Sequence, residues 1–191
     1  MRIKIFSLSI LILGIFFVSC TNSSETVIAE SKEAQNPAAV SDTKSVKDTR
    51  VTSWYHDWDK GIEAAKKEAK PVLIDFFAEW CKWCHVMDEQ TFSAPEIKNR
   101  FSKNWITIRV NTEDRNRYAT YDGKSMSYQD LSGYFQVTGL PSYLFMDKDG
   151  KPIHLLPGYV PKEQFGPLLD YMKDELYKKK VNFSDYLKSV S

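Results

Sequence analysis

The apolar residues of this chain follow patterns that alternate between helical and extended spacing. Apolar positions at helical spacing predict a helix over 57–69. The run Val72–Phe77 is apolar with a single acid, which is typical of a strand buried on both faces. Similar runs predict three more strands, at 105–110, 142–146 and 152–156. Helical spacing predicts further helices, at 82–92, 95–101, 128–135 and 161–177.

The order of these elements predicts an α/β fold. Helices and strands alternate first, and a β-hairpin with a final helix follows. We expect a mixed central sheet of about four strands, with helices on both faces. The turn of the hairpin is Asp147–Gly150. Residues 112–127 are polar and show no clear period, which predicts a long loop, either a partner surface or a tolerated insertion.

The N-terminal residues have the pattern of an export signal. Arg2 and Lys4 precede the apolar run Ile5–Val18, which is shorter than the ~20 residues that a membrane span needs. Cys20 follows at the end of the run, and this arrangement resembles a bacterial lipobox, with 1–19 as a lipoprotein signal peptide. An uncleaved anchor helix, or an ordinary signal cut elsewhere, are the alternatives.

The segment after the signal predicts a spacer. Residues 21–50 contain no Phe, Trp, Tyr, Leu or Met, so they cannot bury enough apolar area to offset the entropy of ordering. We therefore expect the lipidated cysteine and a flexible tether at 20–50, one domain at 51–180 and a C-terminal tail at 181–191.

Charge and cysteine content exclude several functional classes. The 26 basic and 25 acidic residues give a formal charge of +1, so nothing favours a nucleic acid partner. The three cysteines are too few for a disulfide-rich scaffold, and one Cys-x-x-Cys pair cannot supply a four-cysteine zinc site. A globular domain with one site of cysteine chemistry remains.

That site is the pair Cys81 and Cys84, placed directly after a buried strand and at the start of a helix. Three-residue spacing in a first helical turn brings two sulfurs close enough to form a disulfide. The helix N-terminus and the neighbouring Lys82 favour the thiolate of Cys81. The second cysteine lies one turn further on, where it can attack a mixed disulfide formed on the first.

The segment VLIDFFAEWCKWC at 72–84 resembles the active-site segment of the thioredoxin family. Gly139-Leu140-Pro141 resembles the cis-proline loop of that family, and CKWCHVM resembles the branch that includes the C-terminal domain of DsbD. The resemblance implies a thioredoxin fold and a thiol–disulfide oxidoreductase that acts on protein disulfides. It favours reduction over oxidation, and it implies no bound cofactor.

By this resemblance, five residues have expected roles in the chemistry. Cys81 is the attacking nucleophile, and Cys84 is the resolving cysteine. Pro141 is the cis residue that faces the disulfide. Asp75 is the buried acid that accepts the Cys84 proton, with a pKa that burial should raise. Arg109 lies where the family often places a basic partner for that acid.

The resemblance also implies contacts with other molecules. The expected substrate-binding residues are Trp80, Leu140, Lys82 and Trp83. The expected partners are proteins that contain disulfides, and a DsbD-like membrane reductase would resupply electrons. Together with the N-terminal signal, this predicts an extracytoplasmic, periplasmic-side protein anchored to a bacterial membrane through lipid at Cys20.

Three alternatives use the same residues differently. His85 completes a Cys-x-x-Cys-His motif, which is also the attachment signature of c-type haem. Zinc binding would need Cys81, Cys84 and His85 with a distant ligand such as His154, but adjacent ligands in one helical turn are crowded, and we expect no metal. A third possibility is a binding module that keeps the fold without turnover.

Overall fold

The computed structural model describes residues 54–190. The expected signal peptide at 1–19, the lipidation site Cys20 and the tether at 20–50 lie outside these residues, so they stay predictions. Within the described part of the chain, none of the helices combines the length and the apolar character that crossing a bilayer requires.

Most predicted elements are present, with shifted ends. The helices are α1 (Trp58–Glu68), α2 (Lys82–Met87), a π-helical turn (Asp88–Phe92), α3 (Pro95–Asn104), α4 (Tyr128–Tyr134), α5 (Lys162–Lys173) and α6 (Phe183–Val190). The strands are β1 (Val72–Phe77), β2 (Ile106–Asn111), β3 (Tyr118–Tyr121), β4 (Lys124–Ser127), β5 (Ser142–Met146) and β6 (Pro152–Pro157).

Four strands form one mixed sheet in the order β2-β1-β5-β6. Strands β1 and β2 are parallel, whereas β5 runs antiparallel to β1 and β6 runs antiparallel to β5. This confirms the predicted mixed sheet. Its register places Asp75 of β1 beside Arg109 of β2 on one side and Tyr143 of β5 on the other.

The sheet separates two apolar clusters. On one face, Ile74 of β1 packs in a cluster with Trp58 of α1 and Leu131 of α4. On the other face, Leu73 packs with residues of α3, α5 and the π-helical turn. Because side chains alternate along a strand, Asp75 points to the same face as Leu73, toward the helical segment that follows the cysteines.

The expectation of a loop without regular structure at 112–127 was wrong. Strands β3 and β4 form an antiparallel hairpin there. Its turn is Asp122-Gly123, and both residues have positive φ, at 50° and 70°. An Asp-Gly pair is the usual sequence of a two-residue hairpin turn, because glycine adopts positive φ without steric cost. The signal was therefore present in the sequence.

Two helical segments also differ from expectation. The helix predicted over 82–92 is divided in two: α2 ends at Met87, and the π-helical turn Asp88–Phe92 follows it. The segment expected as a C-terminal tail contains α6. The Asn182 side chain accepts hydrogen bonds from two backbone N–H groups at the start of α6. The rings of Phe183 and Tyr186 pack against Tyr171 of α5, which attaches this helix to the domain.

Helix α1 approaches the sheet closely at Gly61, and this predicts a large effect of one methyl group. A Cβ atom at Gly61 would lie 2.5 Å from two side-chain atoms of the fully buried Ile108. Overpacking of this kind costs about 1–3 kcal/mol, against a gain of about 1 kcal/mol from the helix propensity of alanine. We expect Gly61→Ala to lower the free energy of unfolding in urea by up to roughly 2 kcal/mol net.

The matched control is Gly133→Ala in α4, where a Cβ atom would meet nothing within 4 Å. There the propensity gain acts alone, and we expect a rise of about 0.5–1 kcal/mol. Equal effects at the two sites would contradict the close approach of α1 to the sheet.

A candidate dithiol active site

The two cysteines lie where the chain passes from β1 into α2. Cys81 is the N-cap of α2, and its sulfur accepts a hydrogen bond from the backbone N–H of Cys84 at 3.1 Å. Their Cα atoms are 5.3 Å apart, and a disulfide joins the side chains. In this oxidised form 3% of Cys81 and 2% of Cys84 are exposed. After reduction, the same N–H and the helix N-terminus would stabilise a Cys81 thiolate.

The loop before β5 lies against these cysteines. Leu140 packs on the pair, and its peptide bond to Pro141 is cis. The Pro141 carbonyl accepts a hydrogen bond from the Gly158 N–H at 2.8 Å, which ties the loop to the end of β6. In the part of the chain that the structure describes, the N–H and C=O of Leu140 take part in no backbone hydrogen bond. They can therefore pair with the backbone of another chain.

Two exposed tryptophans flank Cys81. Trp80 is 69% exposed, and its indole N–H donates to Glu113 Oε1 at 2.8 Å. Trp83 is 56% exposed, and its ring packs against that of Tyr159 with centroids 5.7 Å apart. Lys82 is also exposed in this first turn of α2. The disulfide is thus surrounded by apolar surface and a positive charge.

A buried network of charges lies below the site. Arg109 Nε donates to Asp75 Oδ2 at 2.8 Å. Its Nη2 donates to both carboxylate oxygens of Asp88, at 2.9 and 3.0 Å. All three side chains are almost fully buried, and the guanidinium lies 4.5 Å from the centre of the Phe77 ring. Two ionised carboxylates and one guanidinium carry a formal charge of −1.

The network perturbs its own members. Burial alone would lower the pKa of Arg109, but the charges and hydrogen bonds of Asp75 and Asp88 outweigh it and hold that pKa above its usual value. Burial also raises the pKa of Tyr143, and the charges of the two carboxylates raise it further. Arg109 therefore stays charged and Tyr143 stays neutral at any physiological pH.

A family model described as a thioredoxin-like domain matches residues 58–173, which is more than half of the chain. The chain belongs to the thioredoxin-like family. It is 31% identical over 107 residues to the thiol:disulfide interchange protein DsbD of Pectobacterium atrosepticum, a match that covers 53% of this chain and 16% of DsbD.

A second relative is the disulfide bond reductase DsbH of Chlamydia pneumoniae, which is 25% identical over 100 residues, 52% of this chain and 59% of DsbH. This thioredoxin-like chain therefore spans less than two thirds of either relative. Among solved structures, a thioredoxin-fold protein from Helicobacter pylori matches with a TM-score of 0.55 and 20% identity, over 69% of this chain and 96% of that one. That likeness confirms the predicted thioredoxin fold.

The sequence of this thioredoxin-like domain is compatible with three states of the buried Asp75 side chain, and the structure shows one of them. A carboxylate in the apolar run had to stay protonated, reach Arg109 or use a trapped water. It reaches Arg109, and the guanidinium favours the ionised form. The expected rise of the Asp75 pKa through burial stays a prediction, and the neighbouring guanidinium is a second influence that acts in the opposite direction.

Asp88 was not among the predicted site residues. It lies four residues after Cys84, so one helical turn separates the two on the same face. Asp88 also lies between the fully buried Met87 and Phe92 on a segment that packs against the core. An acid in such a segment needs a buried partner, and this signal points to a charged residue elsewhere in the core.

The haem and zinc alternatives both involve His85, which lies one residue after Cys84. Cys81 and Cys84 form a disulfide with each other, and His85 Nε2 lies 2.9 Å from the Glu79 carbonyl oxygen. All three groups of the Cys-x-x-Cys-His motif thus make contacts within the domain, on a thioredoxin-like fold. Among residues 54–190, no group of three or more His, Cys, Asp or Glu side chains is placed to hold a metal ion.

The buried network predicts a large loss of stability when its cation is removed. Arg109→Met leaves two buried carboxylates without their guanidinium, and we expect the free energy of unfolding to fall by about 3–5 kcal/mol at pH 8. At pH 5 the loss should be smaller, because protonation of either acid removes an uncompensated charge. Urea denaturation at both pH values measures this.

Arg100→Met is the matched control. Arg100 pairs with Asp170 at 2.9 Å, but both side chains are more than a quarter exposed. A pair of this kind contributes about 1 kcal/mol or less. If Arg109→Met cost no more than Arg100→Met, the ion network would not be a structural centre of the domain.

Proposed function

We propose that this protein is a thiol–disulfide oxidoreductase that reduces disulfides in other proteins. The observation that carries the proposal is the Cys81–Cys84 disulfide at the N-terminus of α2, beside the cis peptide bond of Leu140 and Pro141. A dithiol at a helix N-terminus forms a reactive thiolate. The second thiol, three residues away, allows the mixed disulfide to be resolved.

The reaction transfers two electrons. In the reduced protein the Cys81 thiolate attacks one sulfur of the substrate disulfide, a bond forms between the two sulfurs, and the other substrate sulfur leaves as a thiolate. The Cys84 thiolate then attacks Cys81 Sγ. This step releases the second substrate thiolate and forms the Cys81–Cys84 disulfide. A membrane dithiol reductase of the DsbD class would return the two electrons to the protein.

Asp75 is the proposed acceptor of the Cys84 proton. One guanidinium serves two carboxylates in the buried network, so a proton taken up by Asp75 would leave Arg109 paired with Asp88 as a neutral couple. The network can therefore take one proton without leaving a buried charge uncompensated. In an isolated Asp–Arg pair, protonation of the carboxylate would leave the buried guanidinium without a counter-charge.

The names of the relatives support the proposed direction of the reaction, and the N-terminal sequence supports its proposed location. The names of the relatives, disulfide bond reductase and thiol:disulfide interchange protein, favour disulfide reduction as the direction. The apolar run Ile5–Val18 and the following Cys20 support export to the periplasmic side and attachment to a bacterial membrane through lipid.

The proposed roles of the cysteines predict different products from two single substitutions. Cys84→Ser keeps the nucleophile and removes the resolving thiol, so the pre-reduced variant should accumulate mixed disulfides with disulfide-bonded substrates such as native insulin. Cys81→Ser should neither reduce insulin nor form adducts. Non-reducing gels and mass spectrometry detect the adducts, which dithiothreitol should release.

Adducts on Cys81→Ser rather than Cys84→Ser would reverse the two roles. A wild-type protein that binds insulin without reducing it would be a binding module rather than an enzyme.

The proposed role of Asp75 predicts a pH-dependent defect. Asp75→Asn keeps the shape and removes the base, so reduction of insulin should slow at pH 7. Much of the loss should be recovered near pH 9, because the Cys84 thiol then ionises without help. The measurement is kcat from pH 6 to 9. Asp170→Asn, which removes the surface partner of Arg100, is the matched control and should follow the wild-type profile. Superimposable profiles for Asp75→Asn and wild type would make Asp75 a structural residue only.

A further inference from the structure

An ordered pair of aromatic rings lies directly beside the dithiol. Trp83 is the residue before Cys84, yet more than half of its surface is exposed. Its ring packs against Tyr159, which comes from the loop after β6. We call Trp83 and Tyr159 the aromatic ledge. Tyr159 is partly buried and packs against the apolar cluster of Phe92 and Phe165, whereas the outer face of Trp83 is exposed.

The loop that carries Tyr159 is anchored at several points. The Tyr159 hydroxyl donates to Gln90 Oε1 at 3.1 Å. The next residue, Val160, accepts a hydrogen bond from the Thr91 hydroxyl at 2.8 Å, and its N–H lies 3.5 Å from the Met87 sulfur. The ledge is thus held by the helical segment that follows the cysteines. Rings that are ordered in advance lose little conformational freedom when they bind another side chain.

We propose that the aromatic ledge selects protein disulfides whose cysteine lies two or three residues from an aromatic or large aliphatic side chain. This inference rests on the proposed disulfide exchange and adds the class of substrate. Tyr159 and Gln90 become specificity determinants that neither the Cys-x-x-Cys motif nor the cis-proline loop contains.

The occupant is a polypeptide segment in extended conformation. Among residues 54–190, the N–H and C=O of Leu140 take part in no backbone hydrogen bond, so they can pair with an extended strand. An extended chain advances ~3.3 Å per residue, so a side chain two residues from the substrate cysteine lies about 7 Å away. Trp83 is two residues from Cys81 along the chain, and its exposed ring packs against Tyr159. A substrate cysteine bound to Cys81 would bring its flanking side chains close to these rings.

The experiment compares peptide disulfides of matched sequence. Peptides joined into dimers by one disulfide carry Phe, Leu or Ser two residues from the cysteine on both sides. The pre-reduced protein is mixed with each dimer, and the released peptide thiol is measured by chromatography. We expect kcat/KM for the Phe and Leu dimers to exceed that for the Ser dimer by about three- to tenfold.

Three single substitutions test whether the ratio of kcat/KM between the Phe and Ser dimers depends on the aromatic ledge. Tyr159→Ala should bring the ratio of Phe to Ser dimers close to one, whereas Tyr159→Phe keeps the ring and should preserve the ratio. Tyr118→Ala is the matched control, because Tyr118 is 60% exposed on β3 and belongs to no part of the site. It should leave every rate unchanged.

Two results would overturn the proposal: a Phe-to-Ser ratio of kcat/KM near one in the wild type, or a wild-type ratio retained in Tyr159→Ala. A ratio lost equally in Tyr159→Phe would also overturn it, because selectivity would then belong to the hydroxyl. Reduction of 2-hydroxyethyl disulfide separates these results from a failure of the proposed function. A protein that reduces this small disulfide but does not discriminate among the peptides is an oxidoreductase without a selective ledge. A protein that reduces neither is not an oxidoreductase.

Discussion

The Arg109 guanidinium joins three pieces of chain at one buried point. It comes from β2, binds Asp75 of the neighbouring strand, and binds Asp88 of the π-helical turn that continues the cysteine helix. Removing the Arg109 charge would leave both carboxylates buried without a counter-charge, at a cost of several kcal/mol. The parallel pair of strands and the helix that carries the thiols are therefore stable only in one mutual arrangement.

That constraint explains how the dithiol is held in place. The carboxyl end of β1 delivers the chain to Cys81, and Asp88 fixes the following helical segment to the sheet seven residues later. The π-helical turn winds more residues per turn than an α-helix, and it buries Asp88 and Phe92 together. Leu140 covers the cysteines from the remaining side. The backbone around the two cysteines is therefore fixed from several directions, as the proposed exchange reaction requires.

Much of this was predictable, and the failures have physical causes. Periodicity identified β1, the paired cysteines and the lone acid Asp75, since each depends on residues close in sequence. Arg109 was predicted as one of three possible surroundings of Asp75, whereas Asp88 was missed, because an ion network depends on contacts between distant segments. The β3–β4 hairpin was missed for a different reason: its strands are short and largely exposed, so only the turn at Asp122-Gly123 carried a signal. Tyr159 follows a glycine in a loop, and nothing local distinguishes it from other surface tyrosines.

The disulfide thus lies between two different environments, a buried network of charges and an exposed aromatic surface. Below the disulfide, charges are removed from water, and two acids share one cation, so the network suits the transfer of a single proton. Above it, Trp80, Trp83 and Tyr159 present apolar faces to solvent, where contact with a partner removes water from both surfaces. The disulfide lies at the boundary and is almost completely covered in the oxidised state. In the proposed reaction, a substrate sulfur that reaches the cysteines would displace solvent from the aromatic ledge, so recognition of the flanking residues would be coupled to disulfide exchange.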